Sequence, residues 1–240
     1  MPADEPNRWW RAGFAVVSPL ARALFQVRWE GADRIPSRDA AVLAFGHVSV
    51  LDGPVLAIEV MARAQRQTRF LVASEVFDTR IMGPILRRYE QIPIRRGRGD
   101  DDALEEAIRA LRAGAVLAMA PEGRVSERPD EGLQRVRTGA ARITLAAGVP
   151  LLPVGIWGTQ ARWGYRGIRL GPPIRPVVAI SIGEPLMPAG DVGDAQQVGA
   201  FTHRIAERLE RQMGLAKELA SGAAPLRSGE EPFPRRGRRV

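Results

Sequence analysis

The chain has 240 residues, 45% of them hydrophobic and 26% charged, ordinary for a globular protein and enough for one large domain or two small ones. It has no cysteine and only two histidines, which excludes disulfides, thiolate zinc sites, a cysteine nucleophile and a histidine-rich metal site. The net charge is +8, carried almost wholly by arginine, and a surface of that kind attracts anionic headgroups, nucleic acid or phosphorylated ligands.

In chain order, residues 1–27 come first. Met1 to Asn7 is polar, with Asp4 and Glu5, and does not resemble a secretory signal. Trp9, Trp10, Phe14, Val17, Leu20, Leu24 and Phe25 then recur at mostly helical spacing, with Arg8, Arg11 and Arg22 among them. Such an amphipathic helix suits either the headgroup boundary of a bilayer or a place on the domain's own core. No stretch of about 20 residues is free of charges and breakers, so no spanning helix is expected. The expected place is the cytoplasmic face of a membrane, bound peripherally.

Residues 28–218 alternate strand and helix. Strands are expected at Ala40–Phe45, Arg69–Ser74, Gln91–Arg95, Ala115–Ala120, Leu151–Trp157 and Val177–Ile182. Pro93 marks the third of these as an edge or irregular strand. Helices are expected at Pro54–Arg66, Asp100–Ala113, Thr138–Ala147 and Gln196–Met213, with a shorter helical or turn segment at Gly83–Arg88. The acidic start of the second and Gly114 beyond its end follow the dipole and C-cap rules. This alternation predicts a single α/β domain with a largely parallel, mixed β-sheet flanked by helices. Residues 219–240, rich in Gly, Pro, Arg and Glu, read as a disordered basic tail.

Ligands of such sheets bind beyond the carboxyl ends of the strands. His47, Arg96 and Glu122 each fall just after a predicted strand, which points to one shared site. His47 and Asp52 are five residues apart. On a regular helix that separation is about 140° around the axis and roughly 7.5 Å along it, too far for a hydrogen bond. They can meet only if the chain turns between them, with Asp52 at or near a helix start. A carboxylate on one imidazole nitrogen would then leave the other free to take a proton. The competing role is local: Ser49-x-x-Asp52 has capping-box spacing, and Asp52 could itself be the N-cap.

His47-x4-Asp52, Ile92-Pro93-Ile94-Arg95-Arg96, Pro121-Glu122-Gly123 and Val149-Pro150-Leu151-Leu152-Pro153-Val154 occur in that order. Together they resemble the glycerolipid acyltransferase family with the His-x4-Asp motif, over roughly Val27 to Met213. The resemblance implies an O-acyltransferase of phospholipid biosynthesis. It would move a fatty acyl group from acyl-CoA or acyl-carrier protein to a lysophospholipid hydroxyl, first of all that of 1-acyl-sn-glycerol-3-phosphate. Glycerol-3-phosphate or another lysolipid is the alternative acceptor. No cofactor and no metal are expected, and the partners are the acyl donor and an anionic bilayer carrying the acceptor.

By resemblance, His47 deprotonates the acceptor hydroxyl, Asp52 orients it, and Ser49 supports or caps the turn. Arg96 matches the arginine that holds the acceptor phosphate. Arg95 stands where many members have an acidic residue. Glu122 would reach glycerol hydroxyls, and Gly123 lets the backbone approach a ligand. The family often continues with Thr-Arg-Ser; this chain has Arg124-Val125-Ser126, so either Arg124 replaces the shifted arginine or the phosphate site relies more on Arg96. Arg137 matches a family basic position. Val149–Val154 reads as a hydrophobic wall, and His203 as structural.

A hydrolase is disfavoured, since no Gly-x-Ser-x-Gly elbow occurs. The remaining class is a non-catalytic basic module on anionic membrane. Nucleic acid is not expected, because aromatic residues are only 6% of the chain and no nucleic-acid motif occurs.

Overall fold

The computed structural model describes residues 5–95 and 100–222. Arg96 and Arg98, Met1 to Asp4, and residues 223–240 of the expected tail lie outside the described residues. The elements are α1 (Arg8–Leu24), β1 (Gln26–Glu30), β2 (Ala41–Phe45), α2 (Asp52–Ala64), β3 (Thr68–Ala73), α3 (Ser74–Phe77), α4 (Met82–Arg88) and β4 (Ile92–Ile94). They continue as α5 (Asp101–Arg112), β5 (Val116–Met119), α6 (Gly139–Ala147), β6 (Leu151–Trp157), α7 (Gln160–Trp163), β7 (Gly167–Ile168), β8 (Val177–Ile182) and α8 (Ala195–Ser221).

Seven of the strands form one sheet in the order β1-β8-β6-β2-β5-β3-β4. All described pairs in it are parallel except β6 with β8. This is the expected mixed, largely parallel α/β sheet, and β4 with Pro93 is an edge strand as expected.

Why β2 sits at the centre follows from its composition. Ala41-Val42-Leu43-Ala44-Phe45 has no polar face, and all five residues are buried. A strand of that kind is stable only when both faces of the sheet are covered. Leu43 and Phe45 pack with Leu56 and Val60 of α2 on one face. Val42 and Ala44 pack with Leu111 of α5, Ile143 of α6 and Phe201 of α8 on the other. Each fully buried Leu or Ile among them contributes about 1.5–3 kcal/mol relative to exposure. The connection from β2 to β3 runs through α2 on the first face, and that from β5 to β6 runs through α6 on the second. The strand order therefore diverges around β2 and β5. Ligands of open α/β sheets bind beyond the carboxyl ends of the strands at such a point.

The structure differs from the sequence expectation at both ends of the domain. β1 was not expected, and it starts at Gln26, so the boundary after Val27 cuts through a strand. Its alternation is short: Val27 and Trp29 are buried, and the residues between them are not. The Trp29 indole donates to Glu59 Oε2 at 2.9 Å, and the Arg63 guanidinium lies over the Trp29 ring at 4.9 Å. Burial pushes the Glu59 carboxyl above its ordinary range, while Arg63 and the indole pull the other way.

At the far end, α8 passes the expected stop at Met213 and runs to Ser221. Gly214 reads as a stop in sequence, but the helix absorbs it because Ala216 and Leu219 bury beyond it, in contact with Ala179. Residues 219–221 are therefore helix, not tail.

Helix α1 divides its residues between the core and water. Trp10 and Ser18 are buried, the Trp10 indole donates to Tyr89 O, and the two rings meet edge-on at 5.2 Å. Val16, Val17, Leu20 and Leu24 lie along a neighbouring flank and face solvent.

Helix α8 lies against β6 closely enough to demand glycine. A Cβ added at Gly155 would stand 2.0 Å from the Gln212 carbonyl oxygen, which is backbone and cannot swing aside. Gly155→Ala should therefore destabilise the protein by about 1–3 kcal/mol, the usual cost of overpacking. Thermal melts check this. An unchanged melting temperature would show that α8 can move away from the sheet.

Candidate active site

The chain leaves β2 at Phe45 and turns at Gly46, where a Cβ would stand 2.2 Å from the Met213 sulfur. His47 follows, and its ring lies edge-on to Phe45 at 5.7 Å. Its backbone is held on both sides: His47 N–H donates to Glu122 Oε1 at 2.8 Å, and Ser126 N–H donates to His47 O at 2.7 Å.

The turn that the His-x4-Asp spacing requires is present. Asp52 opens α2, and its Oδ2 accepts from the Val48 and Ser49 N–H groups, each at 2.8 Å. The same oxygen lies 3.0 Å from His47 Nδ1. Thr159, buried just after β6, donates its hydroxyl to Asp52 Oδ1 at 2.5 Å. The Asp52 side chain is 0% exposed and that of His47 is 19% exposed. A buried carboxylate is tolerable only when its oxygens are fully engaged, and these are. The helix N-terminus adds a favourable partial positive charge.

The same Asp52 oxygen thus serves the turn and meets the His47 ring. Asp52 binds back to the Ser49 N–H as a capping box requires. Ser49 Oγ, however, accepts from Leu51 N–H at 3.0 Å and donates to Trp163 O at 2.5 Å. A carboxylate only accepts, so the proton between Asp52 and His47 belongs to Nδ1. In the neutral imidazole Nε2 then keeps its lone pair, in a side chain that reaches solvent.

Glu122 lies at the end of the neighbouring strand β5 and is buried. One of its oxygens accepts from His47 N–H and the other from Gln134 N–H at 2.9 Å. Burial pushes its carboxyl above the usual range, and these two N–H groups oppose the rise. The geometry thus makes Glu122 a tie between the His47 turn and the 124–138 loop. Gly123 has φ +77, which favours glycine, and Arg137 lies 3.5 Å from where a Cβ would stand. Arg124 is exposed and donates from Nε to Gln134 Oε1 at 2.9 Å.

The other arginines of the 87–95 stretch divide. Arg95 pairs with Asp100 at 3.0 Å and Asp102 at 3.5 Å, so it is engaged at the start of α5. Arg87 donates to Phe77 O, and Arg88 lies over the Trp9 ring at 5.0 Å. Val149–Val154 leads into β6, which pairs with β2, and its strand residues are buried. His203 is exposed on α8, 3.5 Å from Glu207. A cleft of about 670 Å³ lies elsewhere, lined by Arg69, Phe77, Arg87 and Glu90 among others, and neither His47 nor Asp52 lines it.

Thr159 was missed in the sequence, although one signal was present. Like His47 and Glu122, it comes just beyond the carboxyl end of a parallel strand.

The family model described as Acyltransferase matches residues 26–157, more than half of the chain. The chain belongs to the acyltransferase family, the O-acyltransferase class that its own motifs resemble. Among curated proteins it is 26% identical over 133 residues to a chloroplastic 1-acyl-sn-glycerol-3-phosphate acyltransferase of Brassica napus. It is 30% identical over 161 residues to an uncharacterized protein of Mycobacterium leprae. These matches cover 54% and 61% of this chain, but only 37% and 41% of the respective relatives. The fold is shared with the crystal structure of the 1-acyl-sn-glycerophosphate acyltransferase PlsC from Thermotoga maritima. That match has a TM-score of 0.64 and 23% identity, covering 85% of this chain and 79% of that one.

Removing the Thr159 hydroxyl isolates the support of Asp52 from the chemistry. Thr159→Val keeps the shape but deletes one donor to a buried carboxylate, worth about 1.5–3 kcal/mol for a hydrogen bond to a charged group. The melting temperature and the turnover rate should both fall, and Thr159→Ser should recover most of each. A Thr159→Val protein that matches the wild type in both would show that Asp52 does not depend on it.

Proposed function

We propose that the protein transfers a fatty acyl group from a thioester donor, acyl-CoA or acyl-carrier protein, to the free hydroxyl of a lysophospholipid. 1-Acyl-sn-glycerol-3-phosphate is the first acceptor to try. The observation that carries this is the His47–Asp52 pair: an imidazole with Nδ1 engaged by a buried carboxylate and Nε2 available. The family membership and the order of the motifs support the same chemistry.

In this scheme His47 Nε2 takes the proton of the acceptor hydroxyl as its oxygen attacks the thioester carbonyl. The C–O bond forms, and a tetrahedral intermediate carries the negative charge. The C–S bond then breaks, and the thiolate recovers the proton from His47. Asp52 stays ionised and stabilises the charged imidazole between the two transfers. No enzyme nucleophile is required. Glu122, Thr159 and Ser49 act through His47 and Asp52 as positioning residues. Arg96 is proposed for the acceptor phosphate, and Arg124 and Arg137, beside the Pro121–Gly123 turn, are proposed for the same group.

The test is purified protein with labelled acyl-CoA, and in parallel acyl-carrier protein, against a panel of lysolipids and glycerol-3-phosphate. His47→Ala should lower kcat by roughly 10²–10⁴, the usual worth of a general base, with melting unchanged. Full activity in folded His47→Ala protein would end this mechanism.

The acceptor is a membrane lipid, and we place the enzyme on the cytoplasmic face of an anionic bilayer. The water-facing flank of α1 supports this: Val16 is 74% exposed, next to Leu20 and Leu24 in the helical pattern. Deleting residues 1–27 is a poor test, because it removes Trp10, Phe25 and the start of β1 from the core. Val16→Asp with Leu20→Asp instead alters only exposed side chains. Co-sedimentation with anionic vesicles should weaken about tenfold or more at unchanged melting temperature. Unchanged co-sedimentation would remove α1 from the membrane contact.

A further inference from the structure

The segment between β6 and β8 is not used by the mechanism, yet it is tied to the catalytic turn. Trp163 O accepts from Ser49 Oγ at 2.5 Å, two residues from His47. From there the chain forms a small hairpin through β7, with Trp163 bridged to Ile168 and Gly164 to Gly167. Arg162 holds its return: the guanidinium donates to Gly171 O at 3.0 Å, to Ile174 O at 2.7 Å and to Pro173 O. Arg175 then donates to Arg22 O at 2.6 Å, at the carboxyl end of α1. The hairpin is thus fastened to the His47 turn at one end and to α1 at the other.

What this fastened hairpin shows to water is apolar. Leu170 is 89% exposed and Ile174 86%, and Tyr165 and Ile168 are also exposed. Single exposed aliphatics are common on any surface, but a cluster held in place with no partner marks an interaction site. Its charges are all of one sign. Arg166 and Arg169 stand exposed between the apolar residues, and no Asp or Glu occurs between Glu131 and Glu184. Aliphatic side chains interleaved with arginine fit a surface whose outer layer is anionic and whose interior is hydrocarbon. An acidic protein would satisfy the arginines but would leave Leu170 and Ile174 without a reason to be exposed.

We infer that the Trp163–Arg175 hairpin is a second bilayer-contacting element. It is distinct from α1 and seats Leu170 and Ile174 among the acyl chains of an anionic membrane beside His47. It rests on the acyl-transfer reading only for its purpose, the supply of lipid acceptor to the site. The contact itself can be tested without any turnover.

The absence of cysteine makes that test clean. Leu170→Cys carries an environment-sensitive dye, and Glu105→Cys, exposed on α5 across the sheet, carries the same dye as control. Anionic phosphatidylglycerol vesicles should blue-shift the dye at position 170 and leave the control unchanged. Pure phosphatidylcholine vesicles should give a weaker shift. In unlabelled protein, Leu170→Asp and Ile174→Asp should each lower vesicle affinity about tenfold or more. Arg166→Gln and Arg169→Gln should each lower it about fivefold on anionic vesicles alone.

An unshifted dye at position 170 on vesicles that the protein does bind would overturn the inference, as would no vesicle binding at all. A shift with an acidic carrier protein but not with vesicles would also overturn it, in favour of protein docking. A protein that shifts on vesicles but acylates no acceptor leaves the bilayer contact standing and removes the acyl-transfer reading instead.

Discussion

The site depends on one buried negative charge. Asp52 has no access to water, so its oxygens depend on the hydrogen bonds made to them. Those donors come from separate places in the chain: the Val48 and Ser49 backbone, the His47 ring, and Thr159 across the next strand. Each is brought there by the sheet. β2 delivers the turn, β6 delivers Thr159, and β5 delivers Glu122, which holds the backbone of His47 itself. A change in the register of β2 against β5 or β6 would break the ties between them. The fully apolar sequence of β2 therefore serves the chemistry as well as the core.

The same constraint explains why acyl transfer suits this scaffold. The reaction needs a base whose proton-accepting nitrogen is fixed and accessible, and it needs no nucleophile from the protein. Holding Nδ1 against a buried carboxylate meets the first demand. The partly exposed side chain of His47 keeps the other nitrogen accessible. Arg175 links the hairpin after α7 to the carboxyl end of α1, and Ser49 links it to the His47 turn.

Much of this was legible in the sequence. The alternation of apolar runs with amphipathic segments identified the α/β sheet, because a buried parallel strand and a covering helix have distinct patterns. The turn that brings Asp52 to His47 was legible from their five-residue spacing, and the position of Glu122 from the apolar run before it. Thr159 was not, because its link to Asp52 spans 107 residues and no local pattern announces a contact of that range. Glu122 was located but given a different task, since spacing does not reveal that both of its oxygens meet backbone donors. β1 was hidden by its shortness and by the helix beside it. For α1 the pattern alone could not divide the apolar residues between core and solvent, because the two faces adjoin.

The most direct test of the account is the tautomer of His47. With two histidines in the chain, and His203 exposed on α8, nitrogen-15 spectra of the neutral imidazoles can be assigned by one substitution. Neutral His47 should carry its proton on Nδ1, and Asp52→Asn should abolish this preference. A neutral His47 protonated at Nε2 in the wild type would contradict it, because the nitrogen that must take the acceptor's proton would already hold one.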